Sequence, residues 1–221
     1  MTVSPGSAPR AYRAFLFDMD GTLITSTAAA ERVWTRWAER HGIDPVAFIP
    51  TIHGVRTADT IRRQNLPGVD LAAEVAWVER GEIEDVEGVA PIPGAIDFVK
   101  RLPPDRWAVV TSATAPLAQA RLKAAGVEPP AVLITAEDVE RGKPDPAGYR
   151  LAAQRLGVDV ADCLVFEDAP AGIAAGEAAG ADLLVVTAAW THPLATDHPQ
   201  LSDYGTATLV VEADGGLTLS V

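Results

Sequence analysis

Five short apolar runs set the architecture open to this chain. FLF at 15–17, WAVV at 107–110, VLI at 132–134, CLVF at 163–166 and LLVV at 183–186 contain no polar position. A strand with one face in water alternates apolar and polar side chains, so a run without alternation must be covered on both faces. Helical patterns over 117–125, 147–156 and 171–179 lie between the runs and supply that cover. The rhythm predicts an α/β fold, with a Rossmann-like parallel sheet between helical layers. The closing stretch TLVVEADGGLTLSV at 208–221 reads as a strand and a hairpin.

The rhythm breaks between Thr25 and Pro93. The segment AAAERVWTRWAERH at 28–41 places Ala30, Val33, Trp34, Trp37 and Ala38 at helical spacing, and 71–80 carries a second helical pattern. No strand is predicted in this interval. The expected organisation is a flexible Pro/Gly-rich leader at 1–10, an α/β core from 11–24 and 94–221, and a helical domain of 25–93 inserted after the first strand, returning through the PIPG turn at 91–94.

Composition narrows the partners. Hydrophobic residues make up 48% of the 221, enough for a sizeable core, and no apolar run reaches the length of a membrane span. The leader lacks the apolar stretch of a secretory signal. An excess of 30 acidic over 18 basic residues gives a formal charge of -12, which opposes binding to nucleic acid or to an anionic membrane. The lone cysteine, Cys163, excludes an internal disulfide and fits a buried position in a cytoplasmic protein, expected to be a monomer or a dimer.

Ligands of open parallel sheets bind beyond the carboxyl ends of the strands. The residues that follow the runs are Asp18 and Asp20, Thr111 and Ser112, and Glu167 and Asp168, with Lys143 in the loop RGKPDP. Strand alternation puts Asp18 and Asp20 on one side, where mutual repulsion favours uptake of a proton or a cation. Taken singly, Ser112 is an ordinary helix cap, Lys143 a solvated turn residue, and Glu167 with Asp168 a helix start favoured by the macrodipole. At successive strand ends they form an inventory for phosphoryl transfer.

In this order, DMDGTL (18–23), VVTSAT (109–114), GKPDP (142–146) and VFEDAPAGI (165–173) resemble the four motifs of the haloacid dehalogenase superfamily of phosphohydrolases. HGVRTADTI (53–61) is similar to the cap of its sugar and polyol phosphatases. The resemblance implies that Asp18 attacks phosphorus to form an aspartyl-phosphate, and that Asp20 gives a proton to the leaving group and later takes one from water. It implies magnesium held by Asp18, the backbone carbonyl of Asp20 and Asp168, with Glu167 in the outer shell. Lys143, Ser112 and backbone N–H groups around Ala113 would hold the phosphoryl oxygens, Gly21 would permit the tight turn, and Thr22 would fix it by a hydrogen bond beside the phosphate.

In the inserted helices, His53, Gly54 and Arg56 are the expected contacts for the rest of a phosphorylated sugar or polyol, with Thr57 and Asp59 behind them. Asp59, Arg62 and Arg63 also read as a solvated helix face, His41 as a favourable charge near a helix end, His192 and His198 as surface loop residues, and the tryptophans as packing. The expected function is a magnesium-dependent phosphatase of small sugar or polyol phosphates. Three alternatives stand beside it. A sugar phosphomutase needs a second cationic site, and related mutases carry a histidine where this chain has Ala28 to Ala30. A dehalogenase would need neither Asp20 nor a metal. A non-catalytic phospholigand-binding protein should have lost one of Asp18, Asp20, Lys143 or Asp168, and all four are present.

Overall fold

The computed structural model describes residues 10–190 and 195–221. The expected leader therefore falls almost wholly outside the described residues, as does His192. The chain opens with β1 (Ala11–Tyr12) and β2 (Ala14–Phe17), then β3 (Ile24–Thr25). Four helices follow: α1 (Thr27–Arg40), α2 (Pro45–Phe48), α3 (Thr57–Arg63) and α4 (Leu71–Glu84). β4 (Ala90–Pro91) and α5 (Ala95–Lys100) lead into the alternating half, which comprises β5 (Trp107–Val110), α6 (Ala115–Ala125), β6 (Val132–Ile134), α7 (Ala147–Leu156), β7 (Cys163–Glu167), α8 (Pro170–Ala179) and β8 (Asp182–Val186). The short β9 (Gln200–Leu201) and the hairpin of β10 (Thr208–Val211) and β11 (Leu217–Ser220) end the chain.

Six strands pair in the order β6-β5-β2-β7-β8-β9, every pair parallel. The five apolar runs are its first five strands, and both faces are covered as their lack of alternation requires. Successive side chains divide cleanly between the two faces. Phe15, Phe17, Val109, Phe166 and Leu184 join Phe98, Leu117 and Leu122 on one side. Ala14, Leu16, Val110, Val165 and Val185 join Tyr149, Ala152 and Ile173 on the other. Stacking of Phe17 on Phe166, with ring centroids 4.4 Å apart, ties the two central strands together. Cys163 is buried in the second cluster, and burial with Asp162 and Asp159 nearby pushes its thiol up to about 12, so it is chemically quiet.

Helices α1 to α4 form a third cluster around Val33, Trp34, Trp37, Phe48, Ile61 and Val78. Of the apolar stripe of α1 read from the sequence, Val33, Trp34, Trp37 and Ala38 are buried and Ala30 is half-buried. Asp70 caps α4 by accepting from the N–H groups of Ala72 and Ala73. Trp37 is fully buried, and its Nε1 donates to Glu74 at 2.9 Å. His41 and Arg40, at the end of α1, reach the same carboxylate. The absence of strands predicted for 25–93 is corrected by β4, which pairs antiparallel with β3 (Ile24 opposite Pro91, Thr25 opposite Ala90). Two residues per strand, one of them proline, carry no period-two signal, so this ribbon exists only through the pairing of distant segments.

Truncating Trp37 removes a large packed side chain and leaves Glu74 short of a donor. Trp37→Ala should destabilise the protein by about 3 to 5 kcal/mol. Denaturant unfolding followed by circular dichroism measures this, and a loss below about 1 kcal/mol would show that the helical layer does not rest on this residue.

Candidate active site

Parity and register bring the acidic groups together. Phe17 lies opposite Phe166, so the next positions, Asp18 and Glu167, are neighbours on the face that carries Leu16 and Val165. Lys143, in the loop before α7, enters between them. Its Nζ pairs with Asp18 Oδ1 and donates to Glu167 Oε1 at 2.6 Å. Tyr149 of α7 donates to the same Oε1 at 2.8 Å. Glu167 Oε2 accepts from the N–H groups of Asp168 and Ala169 at 2.9 and 3.1 Å.

Each oxygen of Glu167 thus has two donors, which leaves it poorly placed to take a cation. Asp168 is different, because its Oδ1 is buried without a hydrogen-bond partner. Oxygens of Asp18, Glu167 and Asp168 lie within 4.8 Å of one another. A hard divalent ion fits this donor set, with Asp18 and Asp168 as its free carboxylates. Gly21 makes the approach possible: its φ is +91°, and a Cβ there would stand 1.9 Å from Asp168 Oδ2. Gly172 serves Glu167 likewise, since a Cβ would stand 1.6 Å from Oε1. Trp190 Nε1 donates to the Asp168 carbonyl at 2.9 Å and secures that turn from outside.

The electrostatics follow from burial. Burial pushes the Asp18 carboxyl up to about 7, a rise opposed by the Lys143 charge and reinforced by Glu167 and Asp20. Burial, with Asp18 and Glu167, also pushes Asp168 well above the carboxylate range. For Lys143, burial acts downward, but the charges of Asp18 and Glu167 hold it above its usual value, so it stays a cation.

A cavity of about 90 Å³ opens on this cluster. Asp18, Asp20, Ser112 and Ala113 line it from the sheet, and Trp34, Ile52, His53 and Gly54 from the helical layer. Ser112 Oγ donates to the Gly54 carbonyl at 3.0 Å. His53 is exposed, with Nε2 3.5 Å from Glu31. A wider hollow of about 570 Å³ adjoins the cavity and shares His53, Val55 and Asp168 with it.

Glu167, expected in the outer shell of a metal, has two donors on each oxygen and braces Lys143. Two expectations need correction. Arg56 is absent from the cavity wall: its two terminal nitrogens donate to the carbonyls of Glu140 and Val139 at 3.0 and 2.8 Å. A planar guanidinium, with its donors in a fixed fork, matches two successive carbonyls. Thr22 is fully buried away from the cavity, and its hydroxyl lacks the expected hydrogen bond. Asp59 and Arg62 pair with each other at 2.5 Å on α3, and His198 pairs with Glu177 at 2.8 Å.

Sequence reading missed Arg121, Glu82 and Ser26. Asp20 is held by two of these groups. Ser26 Oγ and Arg121 Nη1 donate to its Oδ1 at 2.6 and 3.0 Å, and Arg121 Nη2 donates to Glu82 Oε1 at 3.0 Å. Burial raises the Glu82 carboxyl in spite of the Arg121 charge. A buried arginine on the stripe of α6 carried no local signal, because its partners lie far off in sequence.

Residues 12–180 match the family described as haloacid dehalogenase-like hydrolase. The chain is 45% identical over 181 residues to hexitol phosphatase A of Escherichia coli K12, covering 80% of this chain and 83% of that protein. It is 36% identical over 198 residues to 2-deoxyglucose-6-phosphate phosphatase 1 of Saccharomyces cerevisiae, covering 79% and 80%. Among solved structures, CbbY of Rhodobacter sphaeroides in complex with phosphate shares the fold, with a TM-score of 0.73, 21% identity, and 88% and 96% of the two chains covered.

In the metal-free protein, Asp18 and Asp168 bind protons more tightly folded than unfolded. Stability should therefore fall as pH rises from the unfolded value of about 4 toward the raised folded value. With chelator present, the thermal midpoint should drop between roughly pH 4 and 7, and Asp18→Asn should flatten that drop. A wild-type profile flat over this window would refute the arrangement. Arg56→Ala should lower the specificity constants for a hexitol phosphate and for para-nitrophenyl phosphate by the same factor, as expected of a group that secures the Lys143 loop; a loss confined to the hexitol ester would return Arg56 to substrate recognition.

Proposed function

The chain belongs to the haloacid dehalogenase-like hydrolases and is a phosphatase, and on that premise we propose that its substrates are small phosphate monoesters of sugars or polyols, hydrolysed with magnesium through an aspartyl-phosphate on Asp18. The observation that carries this reading is the pairing of Asp18 with Lys143 at a strand end, beside a buried Asp168 oxygen with no partner. The hexitol and deoxyglucose phosphate phosphatases among its relatives supply the substrate class.

In this reading residues 25–93 act as a cap over the core. Lys143 orients Asp18 and brings positive charge next to the incoming phosphoryl group, so that one Asp18 oxygen stays free for in-line attack. Ser112 and the backbone about Ala113 line the cavity where the phosphoryl oxygens would sit. Asp20, across the cavity, gives its proton to the departing alkoxide and later draws one from water. Asp18, Asp168 and the Asp20 carbonyl would hold magnesium, which supplies neutralisation of phosphoryl charge. Burial under the cap keeps bulk water from the acyl-phosphate until the alcohol has left. His53, Trp34 and Glu82 line the part of the cavity left for the alcohol.

The test joins three measurements. Asp18→Asn should abolish phosphoenzyme formation and lower turnover by more than about a thousandfold. Thorough chelation should remove activity, magnesium should restore it, and Asp168→Ala should weaken metal binding measured by calorimetry. Across a panel of monoesters, hexitol, hexose and glycerol phosphates should exceed phosphoglycolate in specificity constant. Full activity of the chelated enzyme, or near-normal turnover by Asp18→Asn, would sink the mechanism; a preference for phosphoglycolate would sink the substrate class.

A further inference from the structure

Asp20 is gripped by two parts of the molecule at once. Both of its hydrogen bonds fall on Oδ1, from Ser26 Oγ at 2.6 Å and Arg121 Nη1 at 3.0 Å. Among the described residues, none falls on Oδ2. Ser26 stands at the start of α1, where the chain leaves the β3 ribbon for the helical layer. Arg121 belongs to α6, over the sheet, and its second terminal nitrogen is bonded to Glu82 of α4, in the helical layer. The bridge is dry: the side chains of Arg121 and Glu82 are 7% and 5% exposed.

A carboxylate on a short stem rotates easily about its last bond, and an unheld one offers either oxygen in many directions. Two donors on one oxygen remove that freedom. The guanidinium is planar with a fixed fork, so once Glu82 sets one arm the direction of the other is set too. Oδ1 then remains an acceptor, and Oδ2 is the atom that can carry a proton into the cavity, whose wall includes Asp20.

We infer that Arg121 is the positioning residue for Asp20: through its bridge to Glu82 it fixes which carboxylate oxygen transfers the proton, and makes that orientation depend on the helical layer lying against the core. The inference rests on the reading of Asp20 as the proton donor. In that step the bond between phosphorus and the ester oxygen breaks, the electron pair goes to the oxygen, and the proton on Asp20 Oδ2 follows it. The attacking water later returns a proton to Asp20. A misaligned Asp20 slows only those cleavages whose leaving oxygen needs the proton, and this separates positioning from general stability.

The experiment compares specificity constants for glycerol phosphate, an alkyl ester, and 2,4-dinitrophenyl phosphate, whose leaving group departs unprotonated. Wild type, Asp20→Asn, Arg121→Met and Ser26→Ala are measured with magnesium. Arg121→Met should lose about 10- to 100-fold on glycerol phosphate, part of the full range of general acid catalysis, and less than about threefold on the aryl ester. Ser26→Ala should show the same selectivity at smaller size. Because Arg121→Met leaves Glu82 buried and unpaired, the double variant Arg121→Met with Glu82→Met is measured alongside, and should keep the selectivity with a wild-type circular dichroism spectrum. Equal losses on both esters in the folded double variant, or no loss, would overturn the role of Arg121. If Asp20→Asn discriminates between the esters and the Arg121 variants do not, only this inference fails. If Asp20→Asn itself fails to discriminate, the assignment of Asp20 as acid fails and takes the inference with it.

Discussion

The ion pair between Lys143 and Asp18 is the constraint around which the rest of the molecule is arranged. Both side chains are nearly excluded from water, at 5% and 8% exposure. A carboxylate in such a place is unfavourable unless a cation and further donors accompany it. Glu167 adds a second negative charge, and Tyr149 and two backbone N–H groups spread it. One lysine cannot balance three clustered carboxylates, an imbalance that a divalent ion would offset. The cluster thus ties strand ends, a loop and a helix together at one edge of the sheet.

The helical layer has an apolar core of its own, shares Ala29 and Val89 with the core of the sheet, and reaches the cluster itself through a few polar bonds. Ser112 holds the Gly54 carbonyl, Arg56 secures the loop before Lys143, and Glu82 reaches Asp20 through Arg121. Each bond ends on or beside a residue of the proposed chemistry. Geometry at Asp20 and at the Lys143 loop is therefore coupled to the placement of the helices. Surface pairs such as Arg10 with Asp182, about half exposed, contribute far less.

Signals that lie within a few residues were legible in advance. The apolar runs marked five strands, because a strand buried on both faces has no polar position to hide. The stripe of α1 and the final hairpin were readable for the same reason: period and turn residues are local. The two-residue ribbon of β3 and β4 was not, and neither was the direction of the Arg56 side chain. The four donors on Glu167 were not legible, since they come from other elements or from a turn that forms with the fold.

Residue chemistry and order along the chain were determined by the sequence alone: Asp18 and Asp20 after the first strand, a hydroxyl after the second, Lys143 before a helix and Glu167 with Asp168 after a later strand, on a sheet that must be covered on both sides. That is enough to point to phosphoryl transfer, because parity and strand ends put these groups on one edge. The tertiary structure alone decided which partners each acid has. Register set Glu167 beside Asp18 under Lys143, burial left an Asp168 oxygen unpartnered, and contact between α4 and α6 turned Asp20 toward Arg121. Such outcomes depend on which distant donors reach which oxygen, and no local pattern encodes that.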